Sequence, residues 1–115
     1  MTKPILLLHE IREGKDREVQ VLLTDQWRKL VLIQLRHRTI LADHSARFPI
    51  TIQTLAGKGM LRVESQEHEL TPGVLIPVDA HAVHNVQGDP DVAILITFFR
   101  QGDLGEDKDT TAQFD

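Results

Sequence analysis

Short runs of apolar and β-branched residues, each closed by a turn signal, are the feature that most constrains how this chain can fold. Residues 50–55 alternate strictly between branched apolar and polar side chains, which is typical of a strand with one buried face. The other runs are residues 19–24, 27–35, 39–42, 60–64, 67–70, 74–78, 82–87 and 92–99. Many short strands at regular spacing predict an all-β barrel or sandwich.

The breaks between these runs predict turns. The triplet Gly57-Lys58-Gly59 is expected to be a hairpin turn, and residues 88–91 another turn. Residues 65–66 predict a tight reversal, and residues 71–73 a turn before a buried strand over residues 74–78. No helix is expected after the glycine triplet, so it is not interpreted as a phosphate-binding loop.

The length of 115 residues predicts one domain with three parts. Residues 1–17 form an N-terminal segment, interpreted as a short helix or an exchanged strand, because Ile5, Leu8 and Ile11 recur three apart within a run that also suits a strand. Residues 18–100 form the barrel. Residues 101–115 form an acidic tail that holds five acids and one base, which accounts for the whole net charge of −4. The tail is expected to be flexible and solubilising.

Composition excludes several function classes. The chain has no cysteine, which excludes disulfides, thiolate zinc sites, iron–sulfur clusters and cysteine nucleophiles. Its acidic balance argues against nucleic-acid binding. The apolar run at residues 5–8 is too short for a membrane span or a signal-peptide core, which predicts a cytoplasmic protein that does not bind a membrane. Any metal site must therefore be built from histidine, carboxylate or amide ligands.

Two stretches carry a resemblance to a known family. Residues 35–59 read LRHRTILADHSARFPITIQTLAGKG, and residues 73–84 read GVLIPVDAHAVH. They resemble the two conserved motifs of cupins, with His44 as the first histidine of one motif and His84, eleven residues after Gly73, as the histidine of the other. The resemblance spans about residues 18–100. It implies a single-domain antiparallel cupin β-barrel, also described as a double-stranded β-helix or jelly roll, of the RmlC-like superfamily.

The same resemblance implies a depleted metal site. Metal-dependent cupins hold iron, manganese, nickel or zinc with three histidines and one glutamate. Here Ser45 or Ala46 stands in place of the second histidine, and Ile50 in place of the glutamate. Of the four ligands, His44 and His84 are retained, and two imidazoles alone predict at most a weakly bound divalent transition metal such as Zn, Ni, Mn or Fe.

A third metal ligand is open to several candidates. Gln53, Asp43 and His81 are the residues near enough in sequence to be considered, and His81 falls on the corner where the family usually has glycine. The remaining histidines that neighbour charged residues, His9 and His68, are expected at the surface. The basic run at residues 36–38 is interpreted as a solvated strand edge.

Strand alternation predicts the lining of an internal pocket. If Ile50 faces inward, Ile52 and Thr54 do so too, and an inward His84 carries Val86 with it. Together with His44, these residues would form a largely apolar pocket with two imidazoles at one end, suited to a small organic molecule with one polar head.

Two functions follow from this pocket. The first is a small-molecule-binding cupin whose physiological ligand the residues do not identify. The alternative is a metal-dependent cupin enzyme of the dioxygenase, isomerase or lyase class, with His44 and His84 as metal ligands. Whether the protein is an enzyme stays open at this point.

A homodimer is the expected assembly. Residues 31–35 and 93–99 hold more apolar side chains than one inner sheet face can use. Packing of two sheets about a two-fold axis would cover the remainder.

Overall fold

The computed structural model of the protein describes residues 2–100, which form seven antiparallel strands. The strands are β1 (Arg17–Thr24), β2 (Arg28–Leu35), β3 (Ile40–His44), β4 (Ile50–Val63), β5 (Gln66–Leu70), β6 (Leu75–Val78) and β7 (His84–Phe99). Within these residues, no helix is long and apolar enough to cross a membrane. The predicted tail at residues 101–115 lies outside the described residues.

The strands form one sheet that folds over on itself. Its order is β1-β2-β7-β4-β5, with β3 beside β7 and β6 beside β4. Strands β4 and β7 pair along nearly their whole length and therefore belong to both halves of the folded sheet. We call the first half the histidine half; it consists of β3, β5 and residues 59–63 and 84–88 of the two long strands. We call the other half the wide half; it consists of β1, β2, β6 and the remaining residues of β4 and β7. The end strands β1 and β5 do not pair with each other, so hydrogen bonding leaves the barrel open on that side.

Two of the predicted turns are bends within long strands. The prediction of a hairpin at residues 57–59 is wrong, because β4 continues through these residues. Its register shifts between Thr54 and Ala56 and again between Gly57 and Gly59. Gly57 has a φ of 75°, and a Cβ there would lie 2.2 Å from the carbonyl oxygen of Asp91. Residues 88–91 likewise lie inside β7. A glycine inside a strand pattern is compatible with a turn or a bulge, and here it marks the bend that divides the two halves. The reversal predicted at residues 65–66 is a turn at residues 64–65, and the turn predicted at residues 71–73 is confirmed at residues 72–73.

The inner faces of the two halves share one apolar core. Leu41, Leu61 and Val86 contribute from the histidine half, and Ile33 and Ile94 are among the contributors from the wide half. Strand β6 differs from its prediction as a buried run, because only Ile76 and Val78 turn inward, while Leu75 is 57% exposed. Its position beside β4 at the edge of the sheet leaves its outer face uncovered.

The N-terminal segment is neither helix nor strand before β1 begins at Arg17, so the helix prediction is wrong. Its carbonyl groups are bound instead by Arg36, whose guanidinium donates to the backbone oxygens of Arg12 at 2.7 Å and Lys15 at 2.9 Å and pairs with Glu18. Arg36 is 4% exposed, which corrects its interpretation as part of a solvated edge. Strand exchange with a second copy stays a prediction.

Candidate ligand site

The two histidines singled out by the sequence face each other across neighbouring strands. His44 ends β3 and His84 begins β7, and they are register partners after a bulge that follows Leu41. Their ring centroids are 4.3 Å apart with an interplanar angle of 69°, an edge-to-face arrangement. The fold therefore brings together the two imidazoles that lie 40 residues apart in sequence.

Each ring is anchored in the same way. The Nδ1 of His44 lies 2.7 Å from the carbonyl oxygen of Ala42, and the Nδ1 of His84 lies 3.0 Å from that of Ala82. Because a carbonyl oxygen only accepts hydrogen bonds, this geometry assigns the proton to Nδ1 and the lone pair to Nε2 in the neutral ring. Both side chains therefore present an acceptor nitrogen away from their own backbone.

Burial keeps the pair uncharged. Desolvation, followed by the repulsion from His84, lowers the pKa of His44 to about 4. Desolvation also lowers the pKa of His84. Two neutral imidazoles consequently lie side by side at neutral pH.

The other predicted pocket residues lie in the core. Ile50, Ile52 and Val86 belong to the buried apolar cluster. Thr54 is also buried, and its Oγ1 has no hydrogen-bond partner, as is true of the Nε2 of His84. The inner surface thus combines apolar packing with two buried polar atoms that the protein leaves unsatisfied, a combination that is rare in folded proteins.

The described residues do not fit the four-ligand metal set that the resemblance implies. Ala46 and Ile50 are buried apolar residues and offer no ligand atom. Gln53 lies on the outer face of β4, whereas Ile52 and Thr54 lie on the inner face, so its side chain points away from the interior. Within residues 2–100, no three histidine or carboxylate side chains gather closely enough to hold a metal, which also removes His81 and Asp43 as third ligands.

A cleft opens between the two halves at the same end of the protein. Its volume is about 890 Å³. It is lined by Val63, Glu64, Ser65, Gln66, His68, Ile76, Pro77, Val78, Asp79, Ala80, His81 and Ala82. Val63, Gln66 and His68 come from the histidine half, and Ile76 and Val78 from the wide half.

The cleft adjoins the histidine pair. Val63 is the register partner of His84 on one side and of Gln66 on the other, so a single row crosses the sheet from His44 to the cleft. Directly opposed residues in an antiparallel pair share a face, which places all of them on the inner surface. The loop of residues 79–82 connects the histidine pair to the cleft, because Ala82 lines the cleft and its carbonyl oxygen accepts a hydrogen bond from the His84 ring.

Sequence reasoning missed His68 as a lining residue. It was expected at the surface, but it is half-buried and opposite the buried Leu61. Leu70, two residues later, is fully buried, and strand alternation from that leucine would have assigned His68 to the inner face. His81 also lines the cleft, and its φ of 69° explains why glycine suits that corner.

Comparison with known proteins gives a consistent fold. No protein-family model and no curated protein sequence matches the chain. Solved structures do match. A cupin superfamily protein from Desulfitobacterium hafniense DCB-2 is similar with a TM-score of 0.72 at 16% identity, covering 79% of this chain and 83% of that one. An RmlC-like cupin from Shewanella frigidimarina is similar with a TM-score of 0.70 at 19% identity, covering 76% of this chain and 79% of that one.

The chain has the cupin fold. A salicylate 1,2-dioxygenase from Pseudaminobacter salicylatoxidans shares it too, with a TM-score of 0.68 at 12% identity. That match covers 71% of this chain but 26% of the dioxygenase. Identities this low establish a common cupin architecture, and the function must be argued from the site.

Proposed function

We propose that this cupin is a small-molecule-binding protein whose ligand occupies the cleft between the two halves. The observation that carries the proposal is that inner-face side chains of both halves line one cleft of about 890 Å³ beside the histidine pair. Small-molecule sites are typically concave, about 300–1,000 Å³ in volume, and largely apolar with a few polar groups.

The lining suits a ligand with an apolar body and one polar head. Val63, Ile76 and Val78 supply apolar walls, while Gln66 and His68 supply groups that both donate and accept hydrogen bonds. The Nε2 of His84 is buried and does not belong to this lining, so the polar contacts of a ligand would come from the cleft residues themselves.

A cleft-filling variant tests the proposal. A small-fragment screen followed by thermal shift should find compounds that raise the melting temperature of the wild type, because a ligand of the folded state stabilises it. Ile76→Phe, on the inner face of β6, should abolish these shifts. Leu75→Phe, on the exposed outer face of the same strand, is the matched control and should retain them. Shifts that survive Ile76→Phe would place the ligand elsewhere.

A metal-dependent enzyme of the dioxygenase, isomerase or lyase class is the second candidate. It draws support from the anchoring of both Nδ1 atoms on backbone carbonyls, since metal-binding histidines commonly use the second ring nitrogen in this way. Metal analysis of protein made without a histidine tag decides between the two. The small-molecule-binding proposal expects far less than one metal per chain, whereas near-stoichiometric metal that is lost in His44→Ala/His84→Ala would favour the enzyme.

We also propose a homodimer formed through the outer face of the wide half. Leu30, Leu95 and Phe99 point to that face, and Phe99 is 46% exposed. Light scattering should give about twice the chain mass of 13.0 kDa. Leu95→Arg should shift the protein toward the monomer, and a wild-type mass near that of one chain would overturn the proposal. A cytoplasmic location stays a prediction.

A further inference from the structure

The charged side chains that line the cleft are all of one sign. Glu64 and Asp79 contribute carboxylates, and no lysine or arginine belongs to the lining among residues 2–100. The remaining polar side chains carry amide, hydroxyl and imidazole groups. The lining also lacks an aromatic side chain of the Phe, Tyr or Trp type within the described range, so no cage of the kind that holds quaternary ammonium groups is present.

The two carboxylates come from different segments of the lining. Glu64 lies in the turn between β4 and β5, where its backbone N–H donates to the carbonyl oxygen of Val83 at 2.8 Å and its carboxylate accepts from the N–H of Val83 at 3.3 Å. These two contacts fix the side chain at the cleft. Asp79 follows β6 directly, on the wall formed by the wide half. A head group bound in the cleft would therefore meet a lining that carries two negative charges and no positive one among residues 2–100.

Anionic head groups are poorly matched to this arrangement. Carboxylates and phosphates are recognised by Arg or Lys side chains or by helix N-termini. Residues 2–100 contain no helix, and the lining contains no cation in that range. A negative head would also be repelled by the carboxylates of Glu64 and Asp79. Repulsive groups of this kind give selectivity against the wrong ligand class.

Donor-rich head groups are matched by the same atoms. A protonated amine offers up to three N–H donors, and the cleft offers acceptors in both carboxylates, in the Gln66 amide oxygen and in the imidazoles. Charge and hydrogen bonding thus select the same class of ligand.

We propose, on the basis that the cleft is the ligand site, that its ligand is a small organic amine and that carboxylates and phosphate esters of the same size are rejected. The inference deepens the proposed function by naming the ligand class. This ligand class differs from the salicylate in the name of the dioxygenase that shares the fold.

Three probes of matched size and different head group test the charge preference. Benzylamine, benzyl alcohol and benzoate are titrated into the isotope-labelled full chain at neutral pH, and amide resonances of residues 63–82 are followed. We expect benzylamine to bind about tenfold or more tightly than benzoate, with the alcohol between them. The preference should shrink as salt is added, since screening weakens the contribution of partly exposed charges.

Charge-neutralising variants test the assignment to the two carboxylates. Glu64→Gln/Asp79→Asn should reduce the ratio of benzylamine to benzoate affinity to about one. The amide oxygen introduced by Glu64→Gln can still accept from the N–H of Val83, so the turn keeps this contact. Glu67→Gln is the matched control, because Glu67 lies on the exposed outer face of β5 between Gln66 and His68 and does not line the cleft. It should leave the ratio unchanged.

The outcomes separate the inference from the proposed function. Benzoate binding as tightly as benzylamine, with both lost in Ile76→Phe, would overturn the amine preference and retain the cleft as the ligand site. An unchanged ratio in the double variant would overturn the role of Glu64 and Asp79. If none of the three probes shifts the resonances of residues 63–82, the cleft itself is wrong as the site and both proposals fail.

Discussion

Two pairs of histidines lie at the same end of this cupin-fold protein and differ in their burial and in their surroundings. His44 and His84 stack edge to face, are anchored on backbone carbonyls and are held neutral by burial. His68 and His81 line an open cleft; His68 belongs to the edge strand β5 and His81 to the loop that follows β6. His84 is 2% exposed, whereas His81 is exposed to solvent.

The difference separates the residues that the cupin resemblance selects from the residues that line the cleft. The resemblance identifies the buried pair, whose missing partners leave it without a third ligand in residues 2–100. The residues that a ligand can reach are those for which the motif has no assigned ligand role. In this protein, we infer that the buried pair shapes the inner surface and that the rim histidines contact the ligand.

The largest difference between the pairs should be in stability. His84→Ala should lower the free energy of unfolding by about 2–4 kcal/mol, because it leaves a buried cavity and removes the donor from the Ala82 carbonyl. His68→Ala, at a half-buried site facing the cleft, should cost less than about 1 kcal/mol. Urea denaturation of both variants measures the two costs. Equal costs would mean that His68 is as much a core residue as His84.

A smaller difference should appear in the response to pH. The unfolded chain binds a proton on His44 near pH 6.5, and the folded protein only near pH 4. Between these values the unfolded state binds more protons, so the free energy of unfolding rises with pH and falls on acidification. We expect the buried pair to account for a loss on the order of 2 kcal/mol between about pH 7.5 and about pH 4.5.

Two asparagine variants isolate that loss. His44→Asn keeps a donor near the Ala42 carbonyl but cannot titrate, and it should remove much of the acid sensitivity measured by urea denaturation. His9→Asn, at an exposed position, is the control and should leave it unchanged. An equal reduction by both substitutions would contradict the assignment of the loss to the buried pair.

Much of the fold could be predicted because period-two alternation and turn residues act locally. The alternation of residues 50–55 correctly assigns Ile50, Ile52 and Thr54 to the buried face of β4. The bends at Gly57 and Gly88 were predicted as turns, since a local pattern does not reveal that a strand continues beyond a glycine. The reason lies in distant contacts: a Cβ on Gly88 would meet the carbonyl oxygen of Leu35 at 2.9 Å.

The candidate site was less predictable because it forms between the halves. His44 and His84 occupy motif positions on neighbouring strands, and the resemblance to the two cupin motifs selected both. The cleft depends on where β5 and β6 end relative to each other, which no local pattern encodes. Gln66 and His68 reach it through their register with Val63 and Leu61 on β4.

The smallest expected effect concerns the rim residue His81. Its φ of 69° lies in the left-handed region, where a side chain costs energy that glycine does not pay. His81→Gly should therefore raise the free energy of unfolding by about 0.5–1 kcal/mol, the opposite sign to His84→Ala. His81→Asn should be nearly neutral, because asparagine tolerates this conformation.

The same His81→Gly protein should bind benzylamine more weakly if the imidazole contacts the ligand. A stability gain with unchanged affinity would restrict the contacts to His68, Gln66 and the carboxylates and would sharpen the contrast between the two pairs.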